Sequence, residues 1–316
     1  MLNRLFAFLT AFLASQISIV AQIGMSGAGY LPPAPVSVAP GQLITFFVNL
    51  DLPTATANAA PLPLSLAGTS VRVFPQNGPN ASQRIDVPVV AVYSVPVYST
   101  RTSGYNLAAV TVQIPFEVQA GSQPALSVYD FGIFLGDNQS ASALLQLAAQ
   151  PDAVRIIRSG DTLTTRDYGL RPTLGPFPPA ITHADGSTVT PANPAHPGET
   201  VSVWAVGLGL PSSGTIATGS ANPNPPLTTT VSVDFDFRSN AGPSMPSTTN
   251  SGGSHVPAIK IPAYFAPGFV GLYQINVTIP APPVQLESCG GVFQSNLTVN
   301  LGGTASYDGA GICVSN

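Results

Sequence analysis

The stretch Ala266 to Pro280 leaves the chain little choice of local structure. Tyr273, Ile275, Val277 and Ile279 alternate with Gln274, Asn276 and Thr278, a period of two that sets all four apolar side chains on one face of a strand. Pro267-Gly268 supplies a turn ahead of the run, Gly271 permits a close approach, and Pro280 stops it. The result is a half-buried strand with a marked entry and exit. The order Gly271, Tyr273, Ile275 also fits the start of the penultimate strand of an immunoglobulin-like sandwich, where a corner tyrosine bonds back to upstream backbone.

The remainder of the 316 residues is punctuated in the same manner, with 33 prolines and 30 glycines separating short apolar bursts. Only 8% of residues are charged and 44% are hydrophobic, the reverse of a chain held open by charge. Short bursts between turn residues predict an all-β protein. The length suffices for roughly two domains, each with its own core. Fourteen acidic and ten basic residues leave a net charge of −4, and Lys260 is the only lysine. No basic patch for phosphates can be assembled, which argues against nucleic acid as a partner.

Residues 1–21 read as a secretory signal peptide: Arg4, an apolar core from Leu5 to Ala14, and Ile19-Val20-Ala21 ahead of Gln22. Ser15, Gln16 and Ser18 interrupt the apolar run before it reaches the ~20 residues of a spanning helix, and no later stretch is long and apolar enough to cross a bilayer. Residues 22–35 read as a spacer. Export would place Cys289 and Cys313, the two cysteines of the chain, in an oxidising compartment, where a disulfide is expected. It would close a 24-residue loop and stabilise the fold by about 3.5 kcal/mol. A redox role lacks both the Cys-x-x-Cys spacing and a neighbouring cation.

Strand patterns then define two units. In residues 36–135 they fall at Gln42 to Asn49, Gly68 to Phe74, Val87 to Val97, Leu107 to Ile114 and Ala125 to Phe134. Residues 136–178 read as a connector with a short helix and a hairpin. The helix is expected at Ser140 to Gln150, because Ala143, Leu144, Leu147 and Ala148 share a helical face, and the hairpin turns at Ser159-Gly160-Asp161. The proline-rich segment Leu174 to Pro179 marks the boundary. In residues 179–316, Asp185-Gly186 turns a hairpin, and strands follow at Val201 to Val206, Thr228 to Phe237, Ile259 to Tyr264, the opening stretch and Gly291 to Leu301.

The two units repeat one another. Pro40-Gly41-Gln42 matches Pro197-Gly198-Glu199, Ser70 to Val73 matches Thr230 to Val233, and Val110 to Pro115 matches Ile275 to Pro280, in that order. The chain is therefore expected to form two tandem immunoglobulin-like β-sandwich domains with a short connector.

Three runs carry a resemblance: Pro191 to Glu199, Val203 to Gly209 and Ala266 to Val277. Together they resemble the paralogous C-terminal domain family of secreted proteins in soil Acidobacteria of the Solibacter type. The resemblance covers about Pro179 to Thr298 well and Val36 to Pro115 loosely. It departs at Trp204, where Tyr is usual, at Val206, where Thr is usual, and in the inserted loop Arg238 to His255. What it implies is a bacterial source, export and a β-sandwich fold, and it carries no activity with it.

Chemistry is sparse. His183, His196 and His255 fall in no metal-ligand spacing, and no Gly-x-Ser-x-Gly elbow is present. Asp130-Phe131-Gly132 mimics a kinase motif without its companions. Asp234 and Asp236 form the best carboxylate pair, as alternate strand positions beside Arg238; they are weak calcium candidates, and a solvated sheet face with a charge pair is the plainer expectation. Trp204 is a ligand contact if its ring stacks on a sugar, although packing is the commoner fate of a strand tryptophan. No catalytic, cofactor-binding or firm metal residue is nominated, and no cofactor is expected. The expected function is that of a secreted or cell-surface non-catalytic module, binding or structural, whose partner is an extracellular protein or glycan. The alternative is a secreted polysaccharide-degrading hydrolase or its carbohydrate-binding accessory domain.

Overall fold

The computed structural model describes residues 23–25, 36–48, 51–75, 84–99, 102–118, 128–135, 138–158, 179–212, 214–223, 226, 228–237, 253–266, 270–286, 295–301 and 307–316. Among these the chain is all-β, and no helix is long and apolar enough to cross a membrane. The strands of the first half are β1 (Ile23–Met25), β2 (Val36–Val38), β3 (Leu43–Val48), β4 (Ala55–Thr56), β5 (Ser65–Leu66), β6 (Thr69–Pro75), β7 (Ile85–Val87), β8 (Val89–Ser99), β9 (Thr102–Gln113), β10 (Val128–Leu135) and β11 (Asn138–Ala149). Those of the second half are β12 (Arg155–Ile156), β13 (Ile181–Thr182), β14 (Thr200–Val206), β15 (Thr228–Asp236), β16 (His255–Phe265), β17 (Leu272–Thr278), β18 (Ser295–Asn300) and β19 (Tyr307–Ile312).

The first half forms two sheets, ordered β1-β3-β9-β8-β4 and β2-β11-β10-β6-β5, with β7 beside β6. Alternation sends Val71 and Val73 of β6 inward against Val110 and Val112 of β9, and Val38, Ile44, Val92 and Leu147 complete this core. The second half forms one sheet, ordered β12-β14-β17-β16-β15-β18-β19, with β13 beside β14. Its inward residues Val203, Phe235, Phe265, Tyr273, Ile275, Val299 and Ile312 belong to a single core, so this sheet must curl around them. The opening stretch supplies the centre, where the Phe265 and Tyr273 rings lie 4.6 Å apart between centroids.

The segments matched in sequence make corresponding bonds. Pro40-Gly41 and Pro197-Gly198 both turn the chain with glycine at positive φ, 77° and 84°, as the third position of a type II turn requires. Gly41 N donates to Ile114 O, and Gly198 N donates to Ile279 O, each at 2.8 Å. The Gln42 carboxamide oxygen accepts from Ala39 N at 2.7 Å, and a Glu199 carboxylate oxygen accepts from His196 N at 2.9 Å. Beyond the turns, β3 pairs with β9 as β14 does with β17, and β6 with β10 as β15 does with β18. A parallel contact closes each unit, β2 on β11 and Ala195 on Val314.

Three expectations require correction. Asn138–Ala149 is a strand and not the expected helix: Ala141, Ala143, Leu145, Leu147 and Ala149 also recur at every second position, and ladders to β10 and β2 select that period. Arg155 and Ile156, within the expected connector, already pair with β14 of the third sheet. The Ser159-Gly160-Asp161 turn lies outside the described residues, as does most of Leu174 to Pro179. Finally, β17 is not the penultimate strand. β18 and β19 follow it, because Tyr307–Ile312, with two glycines and an aspartate, lacks an apolar alternation and still pairs fully with β18. The Tyr273 hydroxyl does donate to upstream backbone, to Gly209 O at 2.8 Å, but from the strand beside β14.

The two halves meet through a polar contact. Gln113 is fully buried; its Nε2 donates to Val270 O at 2.8 Å, and its Oε1 accepts from Gly219 N at 2.6 Å. Leu62 N donates to Gly219 O, and Phe116 N to Thr218 Oγ1. The middle of the loop Gly207 to Pro226 is thus held against the first half. Gly271, at φ 100°, sits so close that an added Cβ would run into the Gly41 carbonyl oxygen. Gly271→Ala should therefore cost about 3 kcal/mol or more in urea unfolding. Gly198→Ala, also at positive φ but with nothing within 4 Å of the new Cβ, should cost about 1 kcal/mol. Equal losses would contradict the close junction.

Candidate functional site

β15 carries Asp234 and Asp236 on one side, as alternation dictates, but that side is covered. They are 6% and 4% exposed, where a solvated sheet face was expected; β16 and β18 flank them, and Arg238 lies outside the described residues. Asp234 Oδ2 pairs with His255 Nε2 at 2.8 Å, and Asp236 Oδ1 accepts from Ser254 Oγ at 2.9 Å. Burial pushes the Asp234 carboxyl above its usual range, with the His255 contact opposing it.

The residue types Ser, His and Asp are all present in this cluster, yet their order is wrong for nucleophile activation. A triad requires the hydroxyl on one imidazole nitrogen and the carboxylate on the other. Here Ser254 donates to a carboxylate and His255 to a second one, so two separate pairs form. Among the described residues no group of three or more His, Cys, Asp or Glu is placed to hold a metal.

A second cluster was not nominated from sequence. The Asp185-Gly186 hairpin brings His183 over the Pro197-Gly198-Glu199 turn, where His183 Nδ1 bonds Glu199 Oε1 and His183 Nε2 lies 3.2 Å from Asn193 O. Glu199 Oε2 meanwhile holds His196 N, and His196 Nδ1 lies 2.9 Å from Ser315 O. Both ring nitrogens of His183 face acceptors, which suits the imidazolium, with two N–H donors, better than a neutral base with a free lone pair. Burial opposes that charge, but the contacts to Glu199 and Asn193 together outweigh it and raise the His183 pKa. For Glu199, burial is likewise outweighed by its hydrogen bonds, and its pKa is lowered. The signal available in the sequence was the acidic residue directly after Pro-Gly, matched by Gln42 in the first half.

Trp204 is half-buried on the outward side of β14, and its Nε1 donates to Thr182 Oγ1 at 3.2 Å. Cys313 is buried, and Cys289 lies outside the described residues. Arg158 forms a forked pair with Asp308, at 2.9 and 3.1 Å, and so ties the chain beyond β12 to β19. No family model, curated protein or solved structure matches the chain.

The His183–Glu199 pair makes stability depend on pH in a definite direction. Folding raises the His183 pKa above 6.5, so its contribution is complete below 6.5 and is lost as pH rises through the folded value. Folding lowers the Glu199 pKa below 4.5, so its contribution is complete above 4.5 and is lost as pH falls through the folded value. The pair should therefore stabilise most between pH 4.5 and 6.5. Urea titrations across this range should show Glu199→Gln losing about 1–2 kcal/mol inside the window and less outside it. A uniform loss at all pH values would contradict the assignment.

Proposed function

We propose that the protein is a secreted or cell-surface, non-catalytic module built from two tandem immunoglobulin-like β-sandwiches, with a binding or structural role toward an extracellular protein or glycan. The observation that carries this reading is the use made of the titratable side chains. His183, His196 and Glu199 close a turn and hold the C-terminal residues, Arg158 and Asp308 join chain segments, and Asp234 and Asp236 are hydrogen-bonded within the sheet. In each cluster the hydrogen-bonding groups are occupied by neighbours in the fold.

The immunoglobulin-like assignment is supported by connectivity. In each half the first long strand pairs with the strand two steps before the end of the unit, and a short segment near the start lies parallel to the last strand. Export rests on residues 1–21, and with it the disulfide between Cys289 and Cys313, which would fasten the end of the chain beside the His196–Ser315 contact. The rival reading, a secreted polysaccharide-degrading hydrolase, is favoured by one observation, the meeting of Asp234, Asp236 and His255 in one place.

Two measurements decide between these. The mature chain from Gln22, incubated with polysaccharides and with ester substrates, should release no product. Turnover that disappears in Asp234→Asn would establish the rival reading. A non-reducing peptide map should join the Cys289 and Cys313 peptides, and reduction should lower stability by about 3.5 kcal/mol; a map with both thiols free would remove the disulfide from the proposal.

A further inference from the structure

We propose that the outward face of β14, β17 and β16 binds a neutral polysaccharide chain, with Trp204 and Tyr264 as stacking platforms and Gln274 between them. This rests on the binding reading above and names its ligand class and its site.

Strand register carries the argument. Trp204 stands opposite Gln274, and Gln274 stands opposite Tyr264, so the three share one row across three adjacent strands. Their neighbours Ala205, Tyr273, Ile275, Ala263 and Phe265 are buried in the core, which fixes the row on the opposite side. Two strand spacings separate the two aromatic positions, about 10 Å. That is close to the length of a disaccharide unit in an extended β-linked hexose chain, so rings two sugars apart meet the two aromatics. Tyr264 is 36% exposed, and the Thr182 contact holds the indole of Trp204 by its edge.

On one side of this row, toward Thr200 and Thr278, the side chains of β14 and β17 are hydroxyls and amides aligned with one another, whereas Val206 and Leu272 stand on the other side. Ser202 Oγ donates to Asn276 Oδ1 at 3.0 Å, Gln274 Nε2 donates to the same oxygen at 2.8 Å, and the Thr200 and Thr278 hydroxyls lie 3.0 Å apart. Side chains held in this way lose little further freedom when a ligand arrives, and they offer both donors and acceptors to sugar hydroxyls.

Charge selects among ligands. On β14, β17 and the part of β16 beside them, residues 259–265, Lys260 is the one charged residue, and Arg155 of β12 borders the sheet beside Val206. Asp234, Asp236 and His255 lie further along the same side of β15 and β16, where both carboxylates are buried and bonded within the fold. An acidic or phosphorylated polymer finds no cluster of countercharge here. A protein partner would call for a contiguous apolar patch at the centre of the contact, whereas here Trp204 and Tyr264 stand apart on either side of the Gln274 amide. A neutral glycan matches both properties.

Trp204 is the one tryptophan of the chain, so its emission reports on this face directly. The full chain is titrated with cellohexaose, xylohexaose and mannohexaose, and with an oligogalacturonate as the acidic counterpart. A saturable change in emission is expected with at least one neutral probe and none with the acidic one. Tyr264→Ala and Asn276→Lys, with melting temperatures at the parent value, should weaken that binding about tenfold or more. No emission change with any neutral hexasaccharide, an equal response to the oligogalacturonate, or parental affinity in both folded variants would overturn the proposal. Reducing ends are counted in the same samples. Bond cleavage would overturn the non-catalytic reading, whereas sugar binding detected by calorimetry with unchanged Trp204 emission would leave that reading intact and overturn this site alone.

Discussion

One buried amide sets the relation between the two halves of the molecule. Gln113 ends β9, and its carboxamide satisfies a carbonyl and an N–H that belong to the other half, at Val270 and Gly219. A buried backbone group left without a partner costs about 1–3 kcal/mol, so sliding the halves past one another while they stay in contact would orphan both at once. The close approach of Gly271 to Gly41 depends on the same alignment. The halves are thus registered by directional bonds as well as by apolar contact, and the row of outward side chains on β14, β17 and β16 takes a defined position relative to the first half.

The scarcity of charge shapes everything outside the cores. With 8% of residues charged, solubility rests on hydroxyls and amides, and those side chains bond one another across strands, as Thr45 does with Thr111 and Thr200 with Thr278. The few charges are then available for structural tasks. The Pro-Gly turn shows this on both sides of the repeat: a neutral Gln42 closes it in one unit, while an ionised Glu199 closes it in the other and gains His183 as a partner.

Much of the fold was legible in the sequence because period-two patterns bounded by proline and glycine mean one thing. The strand cores at Thr69–Pro75, Thr200–Val206, Thr228–Asp236 and Leu272–Thr278 follow from such patterns, while Leu43–Val48 was marked by an apolar run after a Pro-Gly turn; the three matched segments fall on corresponding positions in the strand order. Where two periods coexist, as at Asn138–Ala149, local pattern cannot choose, and the ladders to β10 and β2 decide. Tyr307–Ile312 had no pattern to read; its strand exists because β18 offers it an edge. The site residues were harder. His183 and Glu199 are brought together by two turns, and the burial of Asp234 and Asp236 depends on β16 and β18 arriving on either side. Trp204 was visible as a residue, but its alignment with Gln274 and Tyr264 is a property of register across three strands.

The parallel contacts that close the two units have a mechanical consequence. β2 lies near the start of the first half and β11 at its end, joined by Leu147–Val36, Ala148–Ser37 and Ala149–Val38 pairs. Ala195 and Val314 stand in a similar relation in the second half, with Ala195 N bonded to Cys313 O and Ser315 N to Ala195 O. Tension drawn between the two strands of such a pair runs along their shared axis, so their hydrogen bonds are loaded together in shear and not opened one by one as in a peeled hairpin. A chain built this way yields to traction in steps, one clamp after another.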